Sequence, residues 1–357
     1  MSGRERELVK SLVNRSRWTR IAGYLGLLAR YATAERIRNI RLNEWEFRRR
    51  RTVLKSVPPQ ITLDVTNVCN LRCPLCATGA GRHDLKPTFI DPGLARAILQ
   101  YFAQKSFHAF LYCWGEPLLH PGLAGIIRDA KELKLAVTLS TNLQVLLDRN
   151  RARELVAAGP DVLVLSIDGM TLETYARYRV GGDLSLALRN LDTLRRARED
   201  LGRDRPVLEW QSLLFPHNLH EVGAMIEQYK ELGADRISFE SPNLLFGDAT
   251  AENAAAWLLD PGPDPTVHDV KGNVDGPCWW PYRSVIIGPD GRISPCCYVY
   301  GPEADWGNLA QDDFLRIWNS ERFVCIRRVF SEPGTMPPSP CDRCSVPRPY
   351  TGGEPGQ

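Results

Sequence analysis

The sequence predicts an α/β protein built on a parallel sheet, and three observations carry that expectation. From residue 60, short β-branched runs alternate with amphipathic helical segments. Six such units follow one another before the pattern stops near residue 242. Beyond it the chain turns rich in Pro, Gly, Trp and Cys and shows no large apolar core of its own. Either a doubly wound sheet or a barrel satisfies the alternation, and six strands are fewer than a closed eight-stranded barrel needs. In both cases a ligand sits at the carboxyl ends of the strands.

Taken in order, residues 4–55 read as helical. Leu8, Leu12, Val13, Trp18, Ile21, Leu25 and Leu28 recur at helical spacing with arginines between them. A linker follows and ends at Pro58-Pro59. "QITLDVT" is the first strand, and the next helix opens with Asp91 as N-cap and Pro92 at its first position. "FHAFLYCW", "LAVTLST", "DVLVLSID", "VLEWQSLLF" and "DRISFES" are the remaining strands. The helical segments between them fall at 121–133, 148–158, 171–199 and 218–232. Two short strands, 284–287 and 292–295, flank the turn "GPDG" in the tail.

With 357 residues, 43% hydrophobic and 24% charged, the chain can bury a core without disulfide staples. The net charge of +3 conceals an asymmetry. Residues 1–55 hold 15 Lys/Arg and 5 Asp/Glu, or +10, which leaves 3 − 10 = −7 for the rest. An Arg-rich helical segment of this kind either packs on the barrel with solvated arginines or makes peripheral contact with an anionic membrane. A nucleic-acid partner is not expected. The run "IAGYLGLLARYA" is too short to span a bilayer and is broken by Arg30. No secretory signal pattern is present. The expected location is therefore cytoplasmic, where ten cysteines read as metal ligands or reactive groups rather than disulfides.

Cys69-x3-Cys73-x2-Cys76 directly follows the first strand. Three thiolates suit a cluster of four irons and four sulfides whose fourth iron keeps open positions. Zinc would require a fourth protein ligand nearby; His83 is available, but the compressed spacing favours the cubane.

"CNLRCPLC" after a strand resembles the radical S-adenosylmethionine (SAM) enzymes. The resemblance implies that the open iron chelates the amino and carboxylate groups of SAM. Reduction then yields methionine and a 5′-deoxyadenosyl radical that abstracts hydrogen from substrate. Leu75 departs from the family, where an aromatic residue is common. "YCWGEP" is similar to the family's Gly-Gly-Glu-Pro segment with Trp114 replacing the first glycine; Gly115, Glu116 and Pro117 would face the methionine ammonium. Ser140 and Asn142 in "STN", and Ser166 and Asp168 in "SIDG", resemble positions that contact SAM or substrate, although short polar residues at strand ends also form turns. Arg179 in "YARYR" resembles an arginine that approaches SAM or substrate.

In the tail, Cys278 and Cys296 bracket the hairpin "RSVIIGPDGRISP", whose turn returns its ends to each other. Cys341-x2-Cys344 would complete a closed four-thiolate site, as zinc or as 4Fe-4S. This arrangement resembles the SPASM domain of radical SAM enzymes or its shortened twitch form, and implies one auxiliary 4Fe-4S cluster. The expected fold is then a partial (β/α)6 TIM-like barrel over 58–242. It carries a basic helical extension over 1–57 and a small Cys-rich cluster domain over 243–357.

Cys113 and Cys325 read as buried small apolar residues. Cys297, beside a cluster ligand, is a candidate hydrogen-atom donor as in radical epimerases. Glu209, Glu240 and Arg179 are candidates for moving a proton. A single auxiliary cluster and no strand pattern in residues 1–55 point to dehydrogenation or epimerisation of a carbohydrate-like or other small-molecule substrate. A flavodoxin or ferredoxin is the reductant that the resemblance implies. The alternatives are a maturase of a ribosomally made peptide, by crosslinking or epimerisation, and a zinc-stabilised binding protein without catalysis.

Overall fold

The strand–helix alternation assembles one eight-stranded sheet in the computed structural model, which describes residues 3–81, 85–242, 251–259, 278–332 and 334–343. Two helices lead, α1 (Gly3–Tyr31) and α2 (Ala34–Arg48). The repeating part follows as β1 (Gln60–Leu63), α3 (Pro92–Ala103), β2 (His108–Phe110), α4 (Leu123–Glu132), β3 (Ala136–Thr141) and α5 (Arg149–Ala158). It continues with β4 (Val162–Ser166), α6 (Leu172–Tyr178), α7 (Leu184–Asp200), β5 (Val207–Leu213), α8 (Val222–Gln228) and β6 (Arg236–Glu240). Then come α9 (Ala251–Trp257), α10 (Trp280–Arg283), β7 (Ile286–Ile287), β8 (Ile293–Ser294), α11 (Phe314–Trp318) and α12 (Glu321–Arg328).

The helices start where short polar side chains cap them. Asp91 accepts from Leu94 N at 3.0 Å with Pro92 beside it, as expected from sequence, and Asp148 caps α5 in the same way. Gly159, at φ +87°, ends α5 in the left-handed conformation that glycine adopts freely.

The strand order is β6-β5-β4-β3-β2-β1-β7-β8, and every pairing but β7–β8 is parallel. The barrel is partial, as predicted. Its sheet, however, extends beyond the six expected strands. The hairpin of the Cys-rich region joins the barrel: Thr62 N donates to Val285 O at 2.9 Å and Asp64 N to Ile287 O at 2.8 Å. Periodicity could not show this, because two-residue strands carry no alternation to read. Leu63, Leu139, Leu165 and Leu208 face the helices in the main core, so the alternate residues line the concave side.

The basic extension packs on the barrel. Ser16 Oγ accepts from Phe239 N at 2.8 Å and so occupies a donor on the free edge of β6. Arg20 pairs with Glu240 on the same strand. Tyr24 meets Phe107 edge-on at 5.0 Å, and the Tyr31 hydroxyl donates to Asp161 at 2.6 Å. In α2 the buried Arg36 donates to the carbonyls of Tyr31, Ala103, Leu133 and Lys134. Part of the segment's positive charge is therefore spent inside the fold. Among the described residues, no helix is long and apolar enough to cross a membrane.

Candidate active site

The three thiols sit on a loop that leaves the carboxyl end of β1. Its base is tied by Asn67: its N–H donates to Thr88 O at 3.3 Å and its side-chain oxygen accepts from Thr88 N at 2.7 Å. Arg72 N donates to Val180 O at 2.9 Å, which fixes the far side of the loop against the end of α6. Gly79 is required here, because a Cβ would fall 2.7 Å from the Cys73 carbonyl oxygen.

Cys69, Cys73 and Cys76 lie close enough to act on one another electrostatically, and none is in a disulfide. Burial pushes the Cys69 thiol up to about 12 and the Cys73 thiol up to about 11. Thiols raised like Cys69 and Cys73 are held as thiolates at neutral pH only beside strong positive charge, which is what cluster irons supply. No three His, Cys, Asp or Glu side chains among the described residues close on a single-ion sphere. A cubane places each ligand on a different iron, so the spread thiols fit a cluster better than zinc.

Two residues expected near SAM approach the ligand sulfurs. Asn142 Nδ2 lies 3.6 Å from Cys69 Sγ and donates to Asn70 Oδ1 at 3.0 Å. Arg179 Nη1 lies 4.0 Å from Cys73 Sγ, and its Nε pairs with Asp168 at 2.6 Å. Asp168, fully buried, also accepts from Leu213 N at 2.7 Å, so both oxygens serve the protein. Glu116 is likewise engaged: it accepts from Leu118 N, Thr141 Oγ1 and Asn142 N at 3.0, 2.7 and 2.7 Å. Pro117 is buried just after it. Glu116 thus bridges the ends of β2 and β3 and fixes Asn142. Ser140 and Ser166 lie on the concave side of β3 and β4 by alternation.

The proton-transfer candidates are not free. Glu209 pairs with Arg236, Nε to Oε2 at 2.8 Å, and Glu240 pairs with Arg20. Each carboxylate is thus already engaged by a guanidinium group of the protein. Arg179, held above its ordinary range by Asp168 and Cys73 despite burial, remains a cation.

Asp64 was missed by sequence reasoning. It is the last polar residue of "QITLD", and alternation alone gives it no distinction from a strand-end turn former. The structure buries it on the lining of a cavity shared with Trp114, Arg292, Tyr300 and Asp305. Its two oxygens accept from Cys113 N at 3.0 Å and Trp114 N at 3.1 Å. Burial pushes its carboxyl up to about 7, against the lowering effect of those donors and of Gly115 N. Gly115 itself has no room for a side chain, since a Cβ would overlap the Thr66 carbonyl. Asp64 and Gly115 together seat the 113–117 segment on the cysteine loop, where Glu116 N donates to Val68 O at 2.8 Å.

Above about pH 7, where Asp64 is ionised, Asp64→Asn turns one acceptor into a donor that faces a backbone N–H. The unpaired group costs about 1–3 kcal/mol. SAM affinity should fall about tenfold by calorimetry; unchanged affinity would exclude Asp64 from supporting the site. The folded acid keeps its proton to about pH 7 and the unfolded one only to 3.8, so this group's stabilisation falls as pH rises through that window. The variant should lack that slope.

In the tail, Cys278, Cys297 and Cys341 all lie close enough to Cys296 to act on it electrostatically. Cys344 and His83 lie outside the described residues. Cys113, read from sequence as a small apolar residue, lies close enough to Cys76, Cys296 and Cys297 for each to act on it. Cys297 acts on both Cys113 and the concave-side Tyr112.

The sequence signature of the radical SAM superfamily matches residues 63–207, and that of the SPASM iron–sulfur cluster-binding domain matches residues 278–345. The chain belongs to the radical SAM superfamily. It is an iron–sulfur enzyme whose cofactors are SAM and a 4Fe-4S cluster, with auxiliary iron–sulfur in the SPASM domain. PqqA peptide cyclase of Gluconobacter oxydans is 25% identical over 311 residues, covering 82% of this chain and 84% of that protein. A tungsten-containing aldehyde ferredoxin oxidoreductase cofactor-modifying protein of Pyrococcus furiosus is 24% identical over 80% of this chain and 86% of its own. The crystal structure of SuiB of Streptococcus suis shares the fold, with a TM-score of 0.61 at 16% identity over 88% of this chain and 77% of that one.

Proposed function

We propose that this radical SAM enzyme matures a peptide, by crosslinking or epimerising one of its residues. The observation that carries this reading is the likeness to a peptide cyclase along 82% of the chain. It favours a peptide over the small-metabolite substrate of the sequence reading, which rested on a single auxiliary cluster and on the lack of a strand pattern in residues 1–55. SuiB has also been seen with its precursor peptide SuiA, so the shared fold accommodates a peptide in that protein.

Cys69, Cys73 and Cys76 would hold the SAM-binding cluster, and Cys278, Cys296, Cys341 and Cys344 one auxiliary cluster. When bound, the first cluster and SAM supply the 5′-deoxyadenosyl radical that takes a substrate hydrogen atom. The cavity that Asp64 lines offers Trp114 and Tyr300, packed edge-to-face at 6.0 Å, as an apolar surface for a side chain. For crosslinking, Asp64 is the proton acceptor that burial leaves closest to neutrality. For epimerisation, Cys297 would return a hydrogen atom to the substrate carbon from its thiol.

The test is co-expression with short peptides encoded beside the enzyme, followed by mass spectrometry. A peptide two mass units lighter establishes crosslinking; deuterium uptake from heavy water without other mass change establishes epimerisation. Unmodified peptides, together with conversion of an aminocyclitol or sugar by the same SAM-cleaving preparation, would overturn the peptide reading.

A further inference from the structure

Helix α1 is apolar on two opposite sides, and only one of them is covered. Its inner side buries Val9, Leu12 and Leu27 against the barrel. A surface helix needs one such stripe, with polar residues opposite. Here the outer side carries Trp18, Ile21 and Leu25, exposed by 70%, 38% and 56%, with exposed Ala22 and Ala29 among them. At 100° per residue these five positions fall within an arc of about 100°. Exposed Arg15 and Arg17 flank Trp18 on its two sides, and neither meets an acidic partner among the described residues.

Helix α2 repeats the arrangement. Its inner side buries Arg36, Asn39, Asn43 and Glu46. Its outer side shows Trp45, 51% exposed, on the same face as exposed Arg41 and Arg48.

We propose that the outer faces of α1 and α2 dock the enzyme on an anionic lipid surface. Charge selects this occupant: apart from the buried Arg36 and the ion-paired Arg20, Arg38 and Arg48, the two helices still expose Arg15, Arg17 and Arg41, while the chain beyond residue 55 is net negative. Shape agrees. Around Trp18 and Leu25 the helix shows small residues, and beyond Gly26 there is open space. A protein partner calls for a shaped, complementary core. A headgroup layer needs only an apolar ridge with tryptophan at the interface and guanidinium groups beside it. Both helices are already formed and anchored by their inner sides, so docking costs no coil-to-helix ordering. This inference is independent of which substrate the enzyme modifies.

The test uses the reconstituted full chain and large vesicles, in co-sedimentation. Vesicles of phosphatidylglycerol and phosphatidylcholine in equal parts should bind it at least about tenfold more tightly than phosphatidylcholine alone, with loss at high salt. The double variant Trp18→Ser/Leu25→Ser should lose about tenfold or more of that affinity. Its thermal unfolding and its release of 5′-deoxyadenosine should be unchanged. Arg15→Gln/Arg17→Gln should weaken binding to anionic vesicles only. Equal binding to both vesicle types, or full binding by Trp18→Ser/Leu25→Ser, would overturn the proposal. So would light scattering showing a dimer that the same double variant dissociates, since a second copy would then cover the face.

Discussion

Cys69→Ala/Cys73→Ala/Cys76→Ala should lose about four irons per chain and release no 5′-deoxyadenosine above background, a fall of about a thousandfold or more. The loop holding these residues is tied down independently of metal, through Asn67 with Thr88 and Arg72 with Val180. The variant should therefore fold, with the barrel core intact, and its circular dichroism should match the parent. Iron analysis, absorbance near the thiolate-to-iron bands and chromatography of the nucleoside product check the result together. Cys278→Ala/Cys296→Ala supplies the contrast. It should also lose iron, yet continue to cleave SAM, because those thiols belong to the SPASM domain and not to the cysteine loop after β1. Retention of SAM cleavage by the first variant would refute the assignment of the cysteine loop.

Much of this was legible in the sequence because the signals were local. Caps at Asp91, β-branched strands and the compressed cysteine spacing are each fixed within a few residues, and all reappear in the structure. The relations between distant segments were not legible. Nothing local shows that Ser16 covers the edge of β6, that β7 pairs with β1, or that Asp64 reaches Trp114 N. Ion pairing was hidden in the same way. Glu209 and Glu240 read as cavity-facing acids, and the fold pairs them with Arg236 and Arg20 across strand and helix. Asp168 and Arg179 were read as separate contacts to a ligand, and the fold makes them partners.

That last pair gives a second large effect, and its two consequences can be separated. Asp168 is fully buried and Arg179 nearly so. Removing one partner leaves an uncompensated charge in a low-dielectric site, at a cost of about 3–5 kcal/mol. Arg179→Met should therefore lower the unfolding temperature by several degrees. Neutralising both partners removes the uncompensated charge, and an amide at 168 keeps an acceptor for Leu213 N, so Asp168→Asn/Arg179→Met should regain most of that loss. The electrochemistry should not recover. The guanidinium stands 4.0 Å from Cys73 Sγ and favours the more negative, reduced state of whatever that sulfur ligates. Its loss should lower the reduction potential of the SAM-binding cluster by tens of millivolts in the single and the double variant alike. Spectroscopic redox titration measures this directly. A double variant with restored stability and a parental potential would show that Arg179 supports Asp168 alone and leaves the cluster untouched.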